Sequence, residues 1–201
     1  MTMKRTWIVI GRRSRVAALC GIALLLAATA PAGAVAAEVT WSSTGTATLW
    51  SSTLNWRSAT VPPLPTASDD ALFGAAFGTP AVTLDVSSTI RSLRISTTSA
   101  FVLAPTNAST LTLVTGSVSR SAVSSGTQTL AAPMVLGASG VWAIDGGGAL
   151  VMSGGVSSGT NLFGITKTGT GTLVLSGSNS YTGPTSVASG CLLYTSPSPR
   201  D

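Results

Sequence analysis

Gly148-Ala149-Leu150-Val151-Met152-Ser153-Gly154 recurs as Gly171-Thr172-Leu173-Val174-Leu175-Ser176-Gly177, 23 residues further along the chain. Leu150 and Leu173, Ser153 and Ser176, and Gly154 and Gly177 all keep that offset. Thr110-Leu111-Thr112-Leu113-Val114-Thr115-Gly116 reads as a looser, earlier copy. Within the copies the large apolar residues Leu150 and Met152, Leu173 and Leu175, and Leu111 and Leu113 fall two positions apart, with a β-branched residue between them, the period of a strand. A repeat of between about 20 and 50 residues signals stacked supersecondary units rather than one closed core. At about 3.3 Å per strand residue, roughly 23 residues suffice for one coil of two or three short strands and their turns.

The same alternation runs outward from these copies. Val82, Leu84 and Val86 alternate with Thr83 and Asp85, and Leu93 and Ile95 flank Arg94. These segments are rich in β-branched residues and bounded by Gly, Ser, Asn and Pro. No stretch after residue 40 holds a helical period with caps, so the fold class is all-β. In a stacked coil each rung bonds through its backbone to the rungs above and below. Leu, Val and Ile then face inward, Ser and Thr face water, and Gly or Asn takes the corners where φ must be positive. One rung cannot bury its own apolar face, so several must stack.

Charge and cysteine usage remove several function classes. The 201-residue chain has a net charge of +5, but Lys4, Arg5, Arg12, Arg13 and Arg15 crowd its first fifteen positions. Beyond them Arg57, Arg91, Arg94, Arg120, Lys167 and Arg200 balance Glu38, Asp69, Asp70, Asp85, Asp145 and Asp201. Nucleic-acid binding needs clustered cations to displace counterions, and this region has none. Cys20 and Cys191 are the only cysteines, one in the leader and one in the tail, so the folded region is expected to hold neither a disulfide framework nor a thiolate metal site. Histidine is absent. Serine-triad and cysteine-nucleophile chemistry and imidazole-held metals therefore lack their key residues, and no cofactor is expected.

Residues 1–37 read as a secretory leader. A basic stretch ends at Arg15, an apolar run spans 16–28, and Pro31 breaks it before small residues that suit cleavage near Ala37. The apolar run is shorter than the roughly 20 residues of a membrane-spanning helix, so the mature chain is expected to hold no span.

Five features are candidate sites. Asp69 and Asp70 are adjacent, and neighbours in a strand point to opposite faces, so they do not converge as glycosidase carboxylates must; a bend cap is expected. Asp85 and Asp145 are isolated. Trp41, Trp50 and Trp56 either stack on sugars or cover the first rung, and the need to close an open end favours a cap. Gly146-Gly147-Gly148 reads as a turn, because no Lys-Ser/Thr follows it as in a phosphate loop. Asn107-Ala108-Ser109 has the form of a glycosylation sequon, a pattern common by chance.

The stretch from Ile165 to Val187 resembles the autotransporter-associated β-strand repeat. The family pattern, Lys-x-Gly-x-Gly-x-Leu-x-Leu-x-Gly followed by Asn-x-Tyr-x-Gly-x-Thr, is met in register by Lys167, Gly169, Gly171, Leu173, Leu175, Gly177, Asn179, Tyr181, Gly183 and Thr185. Trp50 to Trp56, the prolines after it and Asp69 to Gly74 loosely resemble the lead-in of such proteins. The resemblance implies a right-handed parallel β-helix in the passenger of a large bacterial surface protein, held at the outer membrane by a C-terminal β-barrel or at the surface by a sorting tail. Its repeats would aid secretion and folding and carry out no chemistry. The export machinery and extracellular glycans or neighbouring cell surfaces are the expected partners; in stacked rungs Asn179 can form a ladder and Tyr181 can lie along a corner, both structural roles. The alternatives are a β-helix polysaccharide-degrading enzyme and a carbohydrate-binding module built on the tryptophans. The expected organisation is leader 1–37, lead-in and cap 38–80, solenoid rungs 81–190, and a tail 191–201. That tail departs from the pattern, resembles translated adapter sequence and is expected to be foreign to the protein, which would continue beyond it.

Overall fold

The computed structural model describes residues 36–42, 48–58, 64–75 and 81–195. The chain divides into two units, 1–33 and 34–201. The first of these, and with it nearly all of the expected leader, lies outside the described residues.

Alternating apolar residues make short strands, and the strands wind into a three-sided parallel β-solenoid. The first coil contributes β1 (Glu38–Trp41), closed by the short antiparallel strand β2 (Trp56–Arg57). Four coils then place one strand in each side. They are β3 (Asp70–Phe73), β4 (Ala81–Leu84) and β5 (Ser88–Ile90); β6 (Ser92–Ile95), β7 (Phe101–Pro105) and β8 (Leu111–Leu113); β9 (Val118–Arg120), β10 (Gln128–Leu130) and β11 (Met134–Leu136); and β12 (Gly140–Ile144), β13 (Ala149–Met152) and β14 (Val156–Ser157). The sixth coil holds β15 (Ile165–Thr168) and β16 (Thr172–Leu175), the seventh β17 (Thr185–Val187) and β18 (Cys191–Tyr194). Side A runs β17-β15-β12-β9-β6-β3-β1-β2, side B β18-β16-β13-β10-β7-β4, and side C β14-β11-β8-β5. Among the described strands only the β1–β2 pair is antiparallel.

The 23-residue repeat is the pitch of the coil at this point: Leu150 pairs with Leu173 and Met152 with Leu175 across β13 and β16. Three expectations need correction. Leu111 and Leu113 do not belong to an earlier copy of the same unit, because β8 lies on side C between β5 and β11. All three sides alternate in the same way, so the pattern alone does not tell them apart. The side B counterparts are Phe101–Pro105 and Gln128–Leu130. Val86 does not continue the buried alternation of Val82 and Leu84, since the strand ends at Leu84 and Val86 is exposed. The ladder also overruns the expected boundaries. β3 already pairs with β6 within the supposed lead-in, and β18 pairs with β16 through Tyr194, so four residues of the expected foreign tail form its last strand.

Columns of inward side chains fill the core. On side B, Val82, Leu103, Leu130, Met152 and Leu175 stack in register, all fully buried. On side A one column is Ala71, Leu93, Val118, Trp142 and Lys167, and a second is Phe73, Ile95, Arg120 and Ile144. From residue 96 to 195 the ionic side chains are Arg120, Asp145 and Lys167, and both cations are buried.

The three tryptophans of the lead-in close the N-terminal end. Trp41, Trp50 and Trp56 are only 1–3% exposed. Trp41 and Trp50 meet Trp56 edge-on, with ring centroids 5.0 and 4.7 Å apart, and all three surround Phe73. The indole of Trp56 donates to the Trp50 carbonyl at 2.8 Å. Asp85 pins this loop to β4 by accepting from the Ser51 backbone at 2.9 Å and its hydroxyl at 2.5 Å. Burial pushes the Asp85 carboxyl up, but the Ser51 hydrogen bonds outweigh it and leave its pKa below the usual value.

Candidate functional site: the polar interior of the repeat

The polar groups held most tightly by this fold lie inside the coil, at the corner between sides A and B and along side C. Lys167 follows Ile165 at strand spacing, so its side chain takes an inward position over Trp142. It is fully buried and donates from Nζ to the carbonyls of Thr168 (3.1 Å), Gly169 (3.0 Å) and, in the next coil, Ser189 (3.1 Å). Burial lowers its pKa, against a smaller upward pull from Asp145 and Cys191. Gly169 makes the corner with a φ of 79°, which a side chain rarely adopts.

Arg120 repeats this arrangement two coils earlier. It is 1% exposed, donates from Nε to Gln128 Oε1 at 2.6 Å, and reaches the Gly126 carbonyl at 2.8 Å. It also donates to the carbonyls of Asp145 and Gly147 in the following coil. Gln128 Nε2 reaches back to the Ser99 carbonyl at 3.0 Å. Arg120 and Gln128 together therefore link three successive coils. Burial lowers the pKa of the guanidinium. The Gly146–Gly148 turn presents one of the carbonyls that Arg120 reaches, that of Gly147.

The second half of the motif replaces a strand. Among the described residues no side C strand follows β14; instead Asn179 Oδ1 accepts from the Val156 backbone at 3.1 Å while its Nδ2 donates to the Gly177 carbonyl at 3.0 Å. The expected Asn ladder is absent here, because Asn179 bonds to backbone and faces Val156. Ser180 completes the join by donating to the Val156 carbonyl at 2.8 Å. Tyr181 is 1% exposed, and its hydroxyl meets those of Thr185 and Tyr194, each at 2.6 Å. Burial raises the pKa of this phenol well above the ordinary range. Leu173 and Leu175 fill the core, and a Cβ on Gly177 would stand 2.3 Å from the Gly154 carbonyl. Gly171 and Gly183 are held against Ile144 and Phe163 in the same way.

The carboxylates are dispersed. Asp69 accepts from the backbone and hydroxyl of Thr66 and caps a bend; Asp70 pairs with Arg91 and Ser92; Asp145 accepts from the Thr170 backbone at 2.9 Å. Among the described residues no three His, Cys, Asp or Glu side chains come together. A groove of about 250 Å³ on the outer face of side A is lined by Leu72, Arg94, Ser96, Ser119, Ser121 and Asp145, with Arg94 bonded to Glu38. The tryptophans offer no outward ring face, so the sugar-stacking alternative fails for Trp41, Trp50 and Trp56. Burial of Lys167 and Arg120 was missed by sequence reasoning. The signal was there, since each stands two residues after an inward Ile165 or Val118.

These features define a parallel β-solenoid repeat protein. Residues 165–193 match the passenger-associated-transport-repeat family, so the chain carries a repeat of the kind found in autotransporter passengers. No curated protein and no solved structure matches the chain. Among the described residues no helix is long and apolar enough to cross a membrane.

Proposed function

We propose that this chain is a non-catalytic, exported surface rod whose repeat promotes folding of the passenger and whose outer faces serve adhesion. The observation that carries this reading is the seven-level ladder on side A, ending in a transport repeat whose motif residues are spent on internal bonds. Lys167, Asn179 and Tyr181 all bind this chain's own backbone or hydroxyls, which suits a role in assembling coils. The leader over residues 1–37 supplies the route out of the cytoplasm, and glycans or neighbouring cell surfaces are the partners such a rod would meet.

The test is export of the intact chain beside one lacking residues 165–193, both expressed in a bacterium with the leader in place. Protease-resistant product at the cell surface is measured. Deletion is expected to reduce that fraction severalfold while total synthesis is unchanged. Equal protease-resistant surface material from both chains would overturn the folding role. Adhesion is read separately, as binding of beads coated with the intact chain to glycan arrays and to cells.

A further inference from the structure

Alternation alone leaves one alignment error open in this ladder. A one-residue slip between coils turns every apolar side chain outward and is strongly disfavoured. A two-residue slip keeps each side chain on its own face. If the fifth coil moved by two residues, Leu130 would lie over Leu150 instead of Met152, and Leu136 over Val156 instead of beyond it. Both exchanges set apolar on apolar, so the columns of sides B and C discriminate weakly; on side A the same slip would set Trp142 against Arg120 and Gly140 against Val118.

Arg120 does discriminate. Its column neighbours Ile95 and Ile144 are apolar, yet it is buried with a fixed set of partners: Gln128 and Gly126 in its own coil, Asp145 and Gly147 in the next. Gln128 fixes the coil before through Ser99. A two-residue slip displaces the next coil by roughly 6.6 Å along the strand, beyond hydrogen-bond reach, and leaves a buried guanidinium short of acceptors. Buried polar groups that fix register at a cost in stability are the best-attested use of such groups. Lys167 is built alike, with partners in its own coil and Ser189 in the next.

We propose that Arg120, acting with Gln128, is a register pin: a buried cation whose carbonyl partners in two successive coils admit one alignment and reject the two-residue slip, with Lys167 repeating the device in the transport repeat. The pin concerns how coils align and does not depend on what the rod binds.

Disulfide trapping reads the alignment directly, in the full chain with Cys20→Ser and Cys191→Ser. Thr129 and Val151 are paired on side B, where neighbouring strands stand about 4.8 Å apart. The Thr129→Cys, Val151→Cys pair therefore reports the native register. Thr129→Cys with Ala149→Cys reports the slip, because in the native register that pair is separated by roughly 8 Å, too far for a disulfide. With Arg120 in place only the native pair is expected to cross-link efficiently. In Arg120→Met the slipped pair is expected to cross-link at a rate within a few-fold of the native pair. Retention in Arg120→Met of a native preference of about tenfold or more would overturn the proposal. Where Arg120→Met shows no β-sheet signal by circular dichroism, Arg120→Lys is used instead; it keeps the cation but puts one nitrogen where three served four acceptors, so the slipped pair is expected to cross-link severalfold faster than in the Arg120 chain. An unchanged native preference, or a second failure to fold, overturns the pin.

Discussion

Ala108 occupies a left-handed conformation with a φ of 58°, directly after Asn107 at 51°, in the turn that leads from β7 to β8. Asn tolerates that region, whereas Ala pays about 1–2 kcal/mol for it. Ala108→Gly relieves the strain and loses roughly 0.4–1 kcal/mol through the freer unfolded chain. A net gain of about 0.5–1 kcal/mol is expected, read as a higher urea midpoint. Two buried groups give opposite pH signatures. Lys167, faced by Asp145 and Cys191, has a folded pKa below its ordinary 10.5, so the unfolded chain holds more protons and stability rises with pH up to that value. Tyr181, faced by Tyr194, has a folded pKa above its ordinary 10.0, so stability falls once pH climbs past 10.0. Tyr181→Phe should abolish the alkaline fall in a urea-midpoint series and leave the rise below it in place.

At the scale of the strand, inward and outward positions of β16 should respond very differently to the same change. Leu173→Asp places an unpaired charge in the stack and is expected to cost on the order of 3–5 kcal/mol. Val174→Asp, on the outer face, should cost about 1 kcal/mol or less. Equal shifts in melting temperature for the two variants would sink the inward assignment of Leu173. Strand positions were legible because Leu173, Leu175, Leu150 and Met152 alternate and recur at the coil pitch. What alternation could not supply was the side to which a strand belongs: Leu111 and Leu113 look like the later copies yet lie on side C. Nor did it reveal the interior of the corner. Arg120 and Lys167 continue the inward parity of β9 and β15, but a cation reads as solvent-facing until its carbonyl partners are assembled, and those come from residues 6 to 27 positions away in the case of Arg120. The tryptophan cap was legible for a physical reason, since a parallel stack must close somewhere.

The described solenoid differs between its first and last coils. The first is closed by β2 and three tryptophans around Phe73, while β17 and β18, the last described strands of their sides, carry exposed residues. Trp50→Ala should remove several ring contacts and cost about 3–5 kcal/mol, with a rise in aggregation measured by light scattering. Stability in a linear stack is a sum of local and neighbour terms. Amide hydrogen exchange is therefore expected to be slowest in the capped middle coils and to quicken toward β18; uniform protection along the chain would contradict this.

The near-absence of surface charge between residues 96 and 195 has a consequence for the ionic conditions these coils can endure. Dissolved ions act on a protein mainly by screening exposed charges within about 10 Å at 0.1 M. Here Asp145 is the lone half-exposed ionic group of some hundred residues, and the two cations are sealed within the coil. These coils give seawater and rainwater almost nothing to distinguish, so their melting point should barely move between about 10 mM and about 1 M sodium chloride.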